Sequence, residues 1–307
     1  MKKVVALAGG VGAARFLRGL AQIVPYKDLV IIGNTGDDFE MYGLHISPDL
    51  DTITYTLAGI VDERKGWGLA SDTFNLLKML RKLGFETWFK LGDRDMAIHL
   101  ARTNMLKDGL SLSEITSLLC AKLGVQTWLI PMTNEQVRTK MRSANAFLDF
   151  QTYFVKRGTR DRINEIFFDG SDVAKPAPGV IKAIREADGI VICPSNPFLS
   201  IAPILSISGI KEEILSSSAV KVGISPIIGG RAIKGPADKI MVDLGIEASA
   251  IGIAKIYADL LDCLLIDTID EHLKGEIEKI GLKAIVTNTI MKNTIDSTNL
   301  ARIAINP

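Results

Sequence analysis

Histidine and cysteine are scarce, with three of each in 307 residues. Cys120, Cys193 and Cys263 lie far apart in apolar stretches, with no Cys-x-x-Cys pair, and His45, His99 and His272 are equally scattered. That spacing gives neither a zinc-binding pattern nor a disulfide framework, and it reads as buried thiols in a reducing compartment. An excess of charge of one sign is also missing. Lys plus Arg number 36 against 35 Asp plus Glu, a net charge of +1. Such a balance leaves no electrostatic footprint for nucleic acid or an anionic membrane. The longest apolar run, "IVICPSNPFLSIAPILSI", is broken by Pro, Ser and Asn, which argues against a membrane span. The sequence opens on a strand pattern rather than a signal peptide, so a cytoplasmic protein is expected.

What is present is enough apolar residue, 47%, to build a sizeable core. Short Val- and Ile-rich runs bounded by turn residues read as buried parallel strands: 3–8, 28–34, 189–196, 219–225, 263–267 and 283–287. Helical patterns fall between them at 13–23, 72–83, 178–187, 237–244 and 271–280. This alternation predicts an α/β fold: a doubly wound, Rossmann-like, mostly parallel sheet in one domain over 1–307. Residues 93–172 are first helical and then more polar and strand-like, notably at 137–143 and 162–168. They are expected to form a helical and strand insertion or cap, with 173–307 completing the core.

The first strand runs into "GGVGAARFLRGL". Gly9, Gly10 and Gly12 allow a tight turn and bring backbone N–H groups and a helix N-terminus close to an anion. The match to GxGxxG is incomplete because Arg15 stands at the third glycine. A nicotinamide enzyme would carry an acid at the end of the second strand to hold the ribose; here Gly33, Asn34 and Thr35 occupy it. No GxxxxGK[ST] follows the strand either. The expected ligand is therefore a phosphate compound other than a nicotinamide dinucleotide or a P-loop triphosphate, with a ligand-free tight turn as the bland alternative.

Five acids follow the second strand, Asp37, Asp38, Glu40, Asp49 and Asp51, and Asp62 and Glu63 come one short helix later. Carboxylates beside a phosphate-binding turn would repel the phosphate unless a cation lies between, and Mg²⁺ is the usual one. Singly, each acid also reads as a solvated loop residue or a helix cap; Asp51 and Asp72 stand before helical patterns, and Asp93 and Asp95 open another. Lys90 sits beside them at a predicted crevice mouth, and Trp88 is suited to stack on a flat ring or to fill a core. Ser195, Asn196 and Pro197 form a polar turn after the third strand. Gly229, Gly230 and Gly235 make a flexible loop after the fourth. One large nucleotide accounts for three such turns at strand ends.

Together "ALAGGVGAARFLRGL", "NTGDD", "PDLDT", "KLGDRD", "PMTNEQVRT", "SNPFLSIAPIL" and "SPIIGGRAIKGPADKIM" resemble, in order, the 2-phospho-L-lactate transferase family of coenzyme F-420 biosynthesis. The resemblance runs from about residue 3 to 252 and more loosely to the end. It implies transfer of a 2-phospholactate, or a related phosphorylated three-carbon acid, from a guanosine diphosphate-linked donor to the ribityl hydroxyl of the deazaflavin Fo, with release of GMP and with Mg²⁺. By the same resemblance Asp51 contacts Fo near the metal and is a candidate general base, and Lys90 contacts Fo. Asn34 and Trp88 join that subsite, and Asp62, with Glu63 as the neighbouring choice, is the second metal-ligating acid. The turns at Gly9, Gly10, Gly12 and Ala13, at Ser195, Asn196 and Pro197, and at Gly229 would hold the guanosine diphosphate. A homodimer is the expected assembly. A neighbouring group of nucleotide- or nucleotide-sugar-binding regulators shares the glycine turn but resembles the chain less in the acidic loop.

Overall fold

The computed structural model describes residues 1–144 and 146–307. Its centre is a seven-stranded sheet. In chain order the strands are β1 (Val4–Ala8), β2 (Leu29–Gly33), β3 (Phe39–Met41), β4 (Leu44–Ile46), β5 (Trp128–Pro131), β6 (Arg138–Ser143), β7 (Phe147–Asp149), β8 (Ile163–Asp169), β9 (Gly189–Ile192), β10 (Val220–Ile224), β11 (Ile227–Ile228), β12 (Arg231–Ala232), β13 (Cys263–Asp267) and β14 (Lys283–Thr287). The central sheet has the order β14-β13-β10-β9-β1-β2-β5, and every ladder in it is parallel. The chain is α/β and Rossmann-like, as the alternation of strand and helix predicts.

The strands read as continuous apolar runs because both faces are covered. Val5, Leu7, Ile32, Ile190, Ile192, Leu264 and Ile266 pack in one core; Val4, Ala6, Ala8, Leu29, Ile31, Val191, Val222 and Leu265 pack in the other. Successive strand residues thus alternate between two buried layers, which only a sheet with helices on both sides requires. β1 lies between β2, the next strand in the chain, and β9, which comes much later at Gly189–Ile192. Strand order reverses there, and a crevice opens beyond the carboxyl ends of such strands.

Residues 93–172 do not leave the core as one excursion. Trp128–Pro131 pairs in parallel with Val30–Gly33 as the edge strand of the main sheet. This four-residue strand sits between polar, helix-rich stretches, and its sheet partner is almost 100 residues away, so no local pattern marks it. What does stand apart is the antiparallel sheet β7-β6-β8, with its own small core of Met141, Leu148, Phe150, Tyr153 and Ile163.

Five helices carry the site: α1 (Gly10–Leu20), α2 (Pro48–Leu57), α3 (Asn75–Lys82), α4 (Asp93–Lys107) and α5 (Leu112–Lys122). The cap of α2 is Ser47, not an aspartate; Asp51 lies inside its first turn. Asp72 and Asp93 do cap helices, but by exchange. The Asp72 carboxylate accepts the Arg94 and Asp95 N–H groups of α4, and the Asp93 carboxylate accepts those of Asn75 and Leu76 in α3. A Cβ on Gly92 would lie 2.2 Å from Asp72 Oδ2, so glycine is needed for that approach. The exchange ties the two helix starts together and fixes the segment carrying Trp88 and Lys90 between them.

Candidate functional site

A cleft of about 910 Å³ lies at the carboxyl ends of β1, β9, β10 and β14. Gly9, Gly10, Gly12, Arg15, Asp37, Asp49, Asp51, Trp88, Lys90, His99, Ser195 and Asn196 are on its wall. Most of the residues predicted from sequence are thereby brought to one place. Ala13, Asn34, Asp62, Pro197 and Gly229 are not on the wall.

The glycine turn does a different job from a bare phosphate cradle. α1 begins at Gly10, three residues earlier than the apolar pattern suggests. The Gly10 N–H donates to Asp49 Oδ1 at 2.8 Å, so an aspartate already sits at that helix start. A Cβ on Gly9 would lie 2.5 Å from Asp49 Oδ2, and one on Gly12 would lie 2.3 Å from the Pro194 carbonyl oxygen. The two glycines therefore let the acidic helix α2 and the loop after β9 close on the turn. Arg15, which breaks the fingerprint, reaches the cleft wall. It brings to the cleft a positive charge that the third glycine of a dinucleotide site lacks.

Asn34 is fully buried. Its amide donates to Asp49 Oδ2 at 2.9 Å and to the Leu199 carbonyl at 3.1 Å, and its oxygen accepts the Gly36 N–H. It acts on the cleft through Asp49 and not by contact. Asp49 has no cationic partner among the described residues. Burial raises its pKa to about 6, against the lowering effect of Asn34 and Gly10. Asp37 is raised well above the usual carboxylate range by burial and by the charges of Asp49 and Asp38, and its Oδ1 has no protein partner. Asp38 is partly paired: Oδ2 accepts the Ser47 hydroxyl and lies 3.0 Å from His45 Nε2, while Oδ1 has no protein partner.

The two acids expected to share a metal are each held by a base. Asp51 accepts both terminal nitrogens of Arg102, Nη1 at 3.1 Å and Nη2. Asp62 accepts Lys65 Nζ at 2.9 Å and the Arg64 and Lys65 N–H groups, and the Lys65 ammonium holds it below the usual carboxylate range. Asp62 therefore braces the loop that puts Lys65 and Trp67 on the wall, whereas Glu63 pairs outward with Arg18. Among the described residues no group of three or more His, Cys, Asp or Glu side chains is disposed to hold a metal ion. Of the acids on the wall, Asp37 and Asp49 have no basic side chain within salt-bridge distance among the described residues, unlike Asp51 and Asp95. An all-oxygen, acidic pair of this kind suits a hard divalent cation, and it is the better fit than Asp51 with Asp62.

The remaining lining is of two kinds, polar or basic and aromatic. Ser195 Oγ and Asn196 Nδ2 are buried without protein partners, while Asn196 Oδ1 caps the turn that follows by accepting the Phe198 and Leu199 N–H groups. Pro197 is buried at the start of that turn. Gly229 adopts a left-handed φ of 56° and donates its N–H to the Asp270 carboxylate, leaving Ile228 on the wall. Lys234 and Lys292 line the cleft with Arg15; burial, then the Arg15 charge, lowers the Lys234 pKa. Trp88 is half-buried, 5.9 Å from Phe89 edge-on, with Lys156 Nζ 5.9 Å above its ring. Phe150 and Phe154, also on the wall, stack at 5.4 Å. Sequence reading named Asp37 in the acidic loop and missed Arg15, Lys234 and the Phe150–Phe154 pair as wall residues. For Arg15 the signal was present, a cation where the fingerprint demands glycine; the others depend on long-range packing.

Fold and cleft thus define a Rossmann-like α/β protein with a nucleotide-sized crevice at the switch point of its sheet. The family model for 2-phospho-L-lactate transferase CofD matches residues 4–300. A phosphoenolpyruvate transferase of Kitasatospora aureofaciens is 43% identical over 99% of this chain and 97% of its own. The 2-phospho-L-lactate transferases of Methanocaldococcus jannaschii and Methanosarcina mazei are 38% and 37% identical, covering 97% and 98% of this chain and 96% and 99% of theirs. A solved UPF0052-family protein from Bacillus halodurans superposes with a TM-score of 0.64 at 18% identity over 99% of both chains, a likeness of fold. The chain belongs to the CofD family of transferases. Its relatives are bacterial as well as archaeal. No helix among the described residues is long and apolar enough to cross a membrane.

Proposed function

We propose that this protein transfers a phosphorylated three-carbon acid from a guanosine diphosphate-linked donor to the terminal ribityl hydroxyl of the deazaflavin Fo, releasing GMP. The observation that carries this reading is the division of one cleft into three chemistries. The basic and polar side (Arg15, Lys234, Ser195, Asn196) suits the diphosphate and nucleoside. The aromatic end (Trp88, with Phe150 and Phe154) suits a flat tricyclic ring. Asp51 and Lys90 are on the wall of the same cleft, available to the ribityl chain. The hydroxyl oxygen bonds to the phosphorus carrying the three-carbon acid, the bond from that phosphorus to the GMP oxygen breaks, and the hydroxyl proton is released to water. Positioning and charge neutralisation suffice for such a transfer, with no protein nucleophile.

Mg²⁺ belongs to this reading, with Asp37 and Asp49 as the residues that would hold it; when bound it would neutralise phosphate charge against the acidic floor. Asp51 is assigned to accept the hydrogen bond of the attacking hydroxyl. The bacterial relative quoted, named for phosphoenolpyruvate, shares more residues with the chain than the two archaeal ones named for phospholactate. That favours an enolpyruvyl donor. A cytoplasmic homodimer completes the proposal.

The test is a fluorescence titration of Fo with the purified protein in Mg²⁺ and GDP, followed by turnover with lactyl and enolpyruvyl donors. Saturable Fo binding and GMP release are expected, faster with the enolpyruvyl donor. GDP or nucleotide-sugar binding without any Fo binding would replace the transferase with a nucleotide-binding regulator of the same fold.

A further inference from the structure

Arg102 is among the least exposed charged residues of the chain, 2% accessible, yet it lies one side chain behind the cleft wall. It sits on α4, fifty-one residues after Asp51, and reaches it with both Nη atoms. Nη1 also lies 3.2 Å from His99 Nδ1 and 3.4 Å from the His45 carbonyl oxygen. Arginine has no acceptor, so the nitrogen of His99 that faces it must be the lone-pair side. The other ring nitrogen, Nε2, lies 3.3 Å from Asp95 Oδ1 without a hydrogen bond to it, and Asp95 Oδ1 accepts the Tyr55 hydroxyl at 2.7 Å. His99, Arg102 and Asp51 form one hydrogen-bonded group, and the Tyr55–Asp95 pair packs beside it. Burying so many polar groups is costly, and an apolar core would serve stability as well. An orienting role for the group explains its presence.

We propose that Arg102 is a positioning residue for the acceptor end of the cleft. Its guanidinium holds the Asp51 carboxylate in one orientation from behind, so that only the oxygen face left toward the cleft meets the acceptor hydroxyl. This inference rests on the transferase reading above and deepens it. It also assigns Asp51 a fixed accepting role in place of a proton-shuttling one. The bidentate fork is specific to arginine; a lysine ammonium supplies the charge without the two-point fit.

Steady-state kinetics of the full-length chain with Fo and donor test this, comparing wild type, Arg102→Lys, Arg102→Met, Asp51→Asn and the double variant Asp51→Asn/Arg102→Met. Arg102→Met is expected to lower kcat on the order of 10–100-fold, the usual cost of removing a group that orients a functional ligand from behind. GDP affinity stays at the wild-type value and Arg102→Lys recovers part of the loss. Because Arg102 acts through Asp51, the double variant is no slower than Asp51→Asn alone, a non-additivity that general loosening of the fold would not produce. Wild-type kcat in Arg102→Met, or losses that multiply in the double variant, would overturn the proposal. If Arg102→Met does not fold by circular dichroism, Arg102→Lys with and without Asp51→Asn gives the same cycle. A wild-type protein that binds no Fo overturns the transferase reading and this role together; binding of Fo with unimpaired Arg102 variants overturns this role alone.

Discussion

Asp49 and Asp51 stand two residues apart on one helix, both buried and both on the cleft wall. Their surroundings are opposite. Asp49 has neutral donors, Asn34 and the Gly10 N–H, and acidic neighbours. Asp51 has a buried guanidinium. Near the end of a helix, a step of two residues turns side chains by roughly 200°, enough to reach different layers of the protein. The difference teaches how to sort acids at such a site. A buried carboxylate without a counter-charge is unfinished until a ligand cation arrives. A carboxylate that already has one is part of the frame.

The largest expected effect breaks the finished pair. Asp51→Ala strands Arg102 in the interior, and denaturant unfolding should show a loss of about 3–5 kcal/mol. A loss under 1 kcal/mol would mean that Arg102 escapes to solvent and the pair is not the frame described.

Relieving the unfinished site should act in the opposite direction. With its folded pKa raised from 3.8 to about 6, ionised Asp49 destabilises the fold above that range. The native state there binds the proton more tightly than the unfolded chain, so stability falls as pH rises from about 4 to 6. Asp49→Asn in metal-free buffer should therefore stabilise the protein at pH 7, by at most about 3 kcal/mol at 1.4 kcal/mol per pH unit. The gain should vanish at pH 4. Equal unfolding midpoints at pH 7 would remove the electrostatic account of this site. Millimolar Mg²⁺ should raise the wild-type melting temperature and leave an Asp37→Asn/Asp49→Asn protein unmoved.

Gly12→Ala tests the packing of the glycine turn against the loop after β9. Its Cβ would press the Pro194 carbonyl at 2.3 Å, where backbone must shift. A cost of about 1–3 kcal/mol is expected, together with weakened GDP binding. The smallest effect is at the aromatic end. Trp88→Ala should weaken Fo binding by roughly 1–2 kcal/mol, about tenfold, without changing GDP affinity. A shift in both affinities would show that the two ends are not separate.

Much of this protein is legible without coordinates. Apolar runs bounded by turn residues locate six of the seven central strands, because strands buried on both faces need no partner to be recognised. Ser195 and Asn196 come to the cleft because strand ends in an alternating α/β chain all face one side, and Asp51, Trp88 and Lys90 are brought there by the helices after β2. The edge strand at Trp128–Pro131 escapes, since four residues among polar neighbours carry no period of their own. The same holds for the exchange of caps between Asp72 and Asp93, where the sequence shows two acids before two helices and each serves the other's.

The amino-acid order by itself determined the class of fold, the glycine turn and the family motifs, since these depend on local periodicity and on residues adjacent in the chain. Only the tertiary structure decided which acids are paired. Asp51 meets Arg102 across fifty-one residues, Asp62 is satisfied by the loop that follows it, and Asp37 and Asp49 are left facing each other's charge. Charge pairing acts through space at 3–4 Å, a distance that spacing along the chain does not encode.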